Sequence, residues 1–229
     1  MLKKLSVLAL VFIFLASTTS WAQVLRARPF DEGPTNQRFS SFRENLLQAI
    51  KIRDVDFVVS QASSDIELSF GGTAGREALR DFLTVDPQSL SEDYRHLAPK
   101  IREENWANLE GTLRLGGRFE EGGLVFVAPY TWVVELPQSA NPFETYFVTG
   151  DGVALRSQPS QSSEVITRLS YDIVTMLDND DSKTYQKIRL IDGTTGFAHG
   201  DYLRSSVGYR AFFSSENGQW KMTMFIAGD

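Results

Sequence analysis

The sequence predicts an α+β domain, with helices packed on a mixed or antiparallel sheet, into which a small all-β barrel is inserted. Three observations lead there. Apolar residues recur at helical intervals from residue 38 to residue 115, whereas residues 146–206 hold short strands separated by turn residues. The C-terminal stretch reads as a β-hairpin, and a lone hairpin is marginal in water, so it needs a sheet to join. With 229 residues, 42% of them hydrophobic and none of them cysteine, the chain can bury a core without disulfides or thiolate-bound metal.

Taken in order, residues 1–22 carry Lys3 and Lys4, an apolar run from Leu5 to Ala16 and a small-residue end at Ser20-Trp21-Ala22. That is the pattern of a secretory signal peptide cut after Ala22, and the run is far shorter than the roughly 20 residues that span a bilayer. Residues 23–37 mix proline, glycine and charge without periodicity and read as a flexible leader. Ser41 and Glu44 stand at capping-box spacing, and Phe39, Phe42, Leu46 and Ile50 mark the first helix. Asp54 caps a short second helix bearing Val55, Val58 and Val59. Ile66, Leu68 and Phe70 then alternate as a strand does, Gly71-Gly72 ends it, and Thr73 is placed to cap a third helix with Leu79, Phe82 and Leu83 inward.

From Ser89 to Leu115 the pattern is helical again, with a break at Pro99 and Trp106, Leu109 and Leu113 on one face. Leu124 to Leu136 is β-branched and aromatic and predicts a long strand bent at Pro129. In the hairpin, Tyr209, Ala211 and Phe213 alternate before Asn217-Gly218, and Trp220, Met222 and Met224 alternate after it. The α+β domain is therefore discontinuous, residues 38–142 with 207–229, and residues 146–206 form the insert.

Within the insert, the runs VALRSQPS (153–160), SSEVITRLS (162–170), IVTML (173–177), YQKIRLIDGTTGFAH (185–199) and DYL (201–203) resemble the bacterial Src homology 3-like (SH3b) family. Arg156, Pro159, Gly193, Gly196 and Tyr202 match the family pattern directly. Ala154 stands for its asparagine, Leu155 for its valine, Tyr185 and Phe197 for its two tryptophans, and its glycine before the second strand is replaced in the Tyr171-Asp172 stretch. The resemblance implies a barrel whose core includes Val153, Leu155, Val165, Leu169, Val174, Ile188 and Phe197. It also implies a peptide or protein ligand, for which Arg156, Tyr171, Tyr185, His199 and Tyr202 are the candidate contacts, with Arg156 alternatively satisfying loop carbonyls.

The flanking segments, by their element order and the hairpin GQWKMTMFIAG (218–228), look like the nuclear-transport-factor-2-like (SnoaL-like) fold. That likeness implies an apolar pocket, which Trp106, Tyr130, Trp132 and Trp220 could line or, as core, fill. Asp65, Glu67 and Glu135 are then the carboxylates available for small-molecule binding or a hydrolase- or isomerase-type reaction.

No catalytic residue, metal or cofactor is assigned from the sequence. The two histidines, His96 and His199, adjoin no nucleophile elbow, and two histidines without cysteine make a poor zinc set. Gly71 to Arg76 lacks both dinucleotide and P-loop spacing, and Asp178 to Asp181 reads as a solvated hairpin tip rather than a calcium loop. The net charge of −6, more negative once the two lysines of residues 1–22 are removed, disfavours nucleic acid and anionic lipid as partners. The expectation is an exported, non-catalytic envelope protein, periplasmic or secreted and not inserted in a membrane after cleavage. Its partner is cell-wall peptide or another exported protein.

Overall fold

The computed structural model describes residues 25–180 and 182–228; the signal-peptide reading of residues 1–22 lies outside the described residues. Helix α1 (Gln37–Lys51) begins four residues before Ser41, because Asn36 is the better cap: its Oδ1 accepts from the Arg38 and Phe39 N–H groups at 3.1 and 3.2 Å. Ser41 and Glu44 thus lie inside the helix. Asp54 caps α2 (Val55–Ser60) as expected, its Oδ1 accepting from Phe57 N–H at 3.0 Å. Strand β1 (Ala62–Glu67) ends short of the expected Leu68 and Phe70, since the chain turns back and Leu68 N–H donates to the Thr73 carbonyl at 2.9 Å.

Gly75, not Thr73, precedes α3 (Arg76–Thr84); its φ of +94° is one that glycine takes without strain. Pro99 opens α4 (Ala98–Arg114) instead of breaking a longer helix, because a proline in the first turn forfeits no helical hydrogen bond. The short strands β2 (Arg118–Glu120) and β3 (Val125–Ala128) follow. The long strand expected to Leu136 stops at β3: Pro129 has no N–H for a ladder, and Tyr130–Val133 form a 3₁₀ turn.

Seven strands come next: β4 (Thr145–Val148), β5 (Val153–Arg156), β6 (Val165–Leu169), β7 (Ile173–Asp178), β8 (Tyr185–Arg189), β9 (Thr195–His199) and β10 (Leu203–Ser205). The hairpin β11 (Arg210–Glu216) and β12 (Gln219–Ile226) closes the chain. Asn217 and Gly218 both have positive φ, 51° and 77°, the conformation of a tight type I′ turn.

The fold is α+β with two sheets. The first has the order β1-β12-β11-β3-β2, with β1 parallel to β12 and the other pairs antiparallel, so the C-terminal hairpin fills its centre. A bulge shifts the hairpin register between Phe212 and Phe213. Past it the inward side passes from Trp220 and Met222 to Phe225, leaving the expected Met224 half-buried. The helices bury Leu46, Ile50, Leu79, Leu83 and Trp106 with this sheet, and Phe39 stacks at its centre, 4.1 Å from Phe126 and 4.9 Å from Trp220 between ring centroids.

The second sheet, ordered β10-β4-β7-β8-β9-β5-β6, is open, with β10 and β6 at its ends, in the place of the small barrel that the sequence predicts. Its core is Val148, Val153, Leu155, Leu169, Val174, Met176, Ile188 and Ala198. Val165 is 37% exposed and Phe197 faces away from this core. The reason lies at Gly196, where a Cβ would stand 2.7 Å from Leu155 Cγ and 2.9 Å from the Arg156 carbonyl oxygen. The inward position at Gly196 therefore has no room for a side chain, and strand alternation puts Ala198 inward with it and turns Phe197 outward.

The described part of the leader is strapped down rather than flexible. Ala27 N–H donates to the Tyr171 carbonyl at 2.8 Å, Ile173 N–H donates to the Leu25 carbonyl at 3.0 Å, and buried Ala27 packs with Tyr130 and Phe147. Asp31 accepts two bonds from Arg43, at 2.8 and 2.6 Å, and Glu32 N–H donates to the Gly117 carbonyl at 2.9 Å. The polar residues read as a sign of mobility are engaged by particular partners. Arg204 makes a second tie: from β10 its Nη2 donates to Thr112 Oγ1 of α4 at 3.1 Å and to the Tyr209 carbonyl before β11.

Candidate functional site

Tyr185 and His199 are register partners across β8 and β9, which brings their rings edge-to-face with centroids 5.2 Å apart. His199 ends its strand. The 3₁₀ turn Gly200–Tyr202 then brings the Tyr202 ring back to 6.2 Å from His199, and His199 Nδ1 accepts from Asp201 N–H at 3.3 Å. With Nδ1 accepting, Nε2 carries the proton of the neutral ring. Tyr202 lies against Gly150, where a Cβ would meet its Cδ1 at 3.0 Å and Val153 Cγ2 at 2.8 Å. Arg156 donates to the Ser163 carbonyl at 2.8 Å, the role in loop satisfaction, and still lines the same cleft.

These four residues, with Gln161 and Asp201, surround an open cleft of about 490 Å³. A second, more polar cleft of about 600 Å³ shares Thr184, His199 and Asp201 with it and reaches Glu104, Ala107 and Asn108 on α4. Sequence reasoning missed Gln161 and Asp201, and nothing local marks α4 as a neighbour of the β8–β9 ends. That proximity is a product of the tertiary fold.

Tyr171, the fifth candidate, lies elsewhere, lining a cavity with Phe30, Leu115 and Tyr130. Its φ of +61° lies in the left-handed region that favours glycine, and the residue stands outside the first cleft.

The four aromatics expected around an outer pocket do not share one. Trp106 and Trp220 are 1% and 5% exposed within the helix–sheet core, Trp106 beneath the Arg53 guanidinium at 5.2 Å. Trp132 is 37% exposed and stacks under Arg210 at 3.9 Å. Tyr130 is wholly buried in a separate cluster with Ala27 and Phe147; its hydroxyl has no hydrogen-bond partner among the described residues, and burial pushes the phenol up to about 12. Asp65, Glu67 and Glu135 are all exposed, so none is the carboxylate buried among aromatics that a raised pKa would require.

At the hairpin tip, Lys183 pairs with Asp178 and Asp180 at 2.9 and 3.1 Å. Ser182 donates to Asp180 Oδ1 through both its hydroxyl and its N–H, and these bonds together with Lys183 hold that carboxyl down at about 2. Asp181 lies outside the described residues, among which no cluster of three metal-ligating side chains occurs.

Residues 151–204 match the family model of the bacterial SH3 domain. The first cleft lies within this segment, which is under a quarter of the chain. No curated protein and no solved structure matches the chain, and nothing in these comparisons supports the nuclear-transport-factor-2-like resemblance of the segments flanking the SH3 domain.

Proposed function

We propose that the protein is exported and non-catalytic, residing in the periplasm or secreted, and that its SH3 segment binds cell-wall peptide or a partner protein in the Tyr185–His199–Tyr202 cleft. One observation carries the reading: four of the five residues singled out from the SH3 pattern converge on a single open cleft. Aromatic rings presented at strand ends supply contact area at low conformational cost, and the Arg156 and Asp201 side chains beside them offer hydrogen bonds that fix orientation. The basic-apolar-small pattern of residues 1–22 supports export. No helix among the described residues is long and apolar enough to cross a membrane.

Co-sedimentation of the purified protein with isolated wall sacculi tests the proposal. Wild type is expected in the pellet, and Tyr185→Ala and Tyr202→Ala, checked for folding by circular dichroism, in the supernatant. Wild type left wholly in solution would overturn wall binding.

A further inference from the structure

We infer that the ligand site is composite: α4 forms its second wall, and the groove takes an extended peptide bearing a positively charged amino group. The inference rests on the cleft reading above and names the ligand chemistry and the additional residues. The two clefts share Thr184, His199 and Asp201 in their linings, so they adjoin at the β8–β9 ends, and a ligand crossing those residues would run from Tyr202 to Glu104 and Asn108. The wall is held in place by a chain of hydrogen bonds. Arg204 Nη2 donates to Thr112 Oγ1, and that hydroxyl donates to the Asn108 carbonyl at 2.7 Å, one turn back on α4. Asn108 is half-buried, and its carboxamide makes no hydrogen bond among the described residues, which leaves both a donor and an acceptor to meet a peptide backbone.

The charges favour a cation. Of the two basic side chains lining the groove, Lys183 is paired with Asp178 and Asp180, while Arg156 donates to the Ser163 carbonyl and keeps its positive charge, which the Asp201 and Glu104 carboxylates outnumber. Asp201, 85% exposed in its side chain, has the His199 ring beside it at 3.6 Å and no Lys or Arg ion pair among the described residues. Glu104 is joined to Lys100 at 3.5 Å, an exposed helical pair of little energy that a ligand can displace. An ammonium group near Asp201 would share the cleft with the Tyr185 and Tyr202 rings, whose quadrupoles attract cations.

Chemical-shift mapping with an N-acetylated, C-amidated extended pentapeptide carrying one lysine amine tests this directly. Amide shifts are expected on both walls, at 184–202 and at 104–108. Acetylating the lysine should weaken binding roughly tenfold. Glu104→Gln and Asn108→Ala, which alter exposed or half-buried positions, should each weaken it several-fold, while Tyr202→Ala abolishes it. Shifts confined to 150–202, with α4 silent and its variants binding normally, would overturn the composite groove and leave the SH3 cleft standing. Equal binding of the acetylated peptide would overturn amine recognition. No shift at all would overturn this inference, whereas the SH3 reading is decided separately by retention on sacculi.

Discussion

Tyr130 shows what one side chain can reveal. A buried hydroxyl with no partner costs about 1–3 kcal/mol of desolvation, so Tyr130→Phe is expected to leave stability unchanged or raise it by about 1 kcal/mol, read from urea unfolding. The phenol also sets an alkaline limit. Burial holds its folded pKa at about 12 against an ordinary value of 10.0, so the folded state keeps the proton more tightly. Its contribution is complete below pH 10, falls as the unfolded chain ionises and is lost by about pH 12; unfolding midpoints measured across that range should decline less in Tyr130→Phe. Tyr171 supplies the functional contrast: Tyr171→Ala should leave sacculus retention intact where Tyr202→Ala removes it. The sequence pattern recorded that a glycine was missing near Tyr171. It could not record that the backbone there is left-handed and that Tyr171 lines a cavity with Phe30 and Tyr130 instead of the cleft.

Individual elements were legible where a local rule had no rival. Asp54 capped its helix and Asn217-Gly218 made its hairpin, because capping and type I′ turns depend on adjacent residues alone. Elsewhere a second rule won. Asn36 outcompeted Ser41 as a cap, Pro99 served a helix start rather than a break, and crowding at Gly196 reversed the face of Phe197. The leader was misread because composition reports charge and not its partners. Asp31→Ala removes both bonds to the largely buried Arg43 and should lower stability by about 2 kcal/mol in denaturant titration. The β7–β8 tip responds to acid. Asp180 is held at about 2, so its bonds to Ser182 are complete above the ordinary carboxylate range and lost as pH falls through 2; the Ser182 amide resonance should hold at pH 3 and move below 2.

Across the whole molecule, the two sheets are joined by the leader and by Arg204, whose guanidinium is desolvated enough that its pKa falls to about 10. Neither tie carries a sequence signal, since Arg204 finds Thr112 and the Tyr209 carbonyl only after folding. The same holds for the site: the SH3 segment and its rings were readable from motif spacing, whereas the α4 wall was not. The central claim is that ligand binds where Tyr185, His199 and Tyr202 converge. Hydrogen exchange of the purified protein, with and without soluble fragments of digested cell wall, tests it most directly. The account predicts added protection at residues 153–156 and 184–202; protection confined to the first sheet and its helices, or none anywhere, would contradict it.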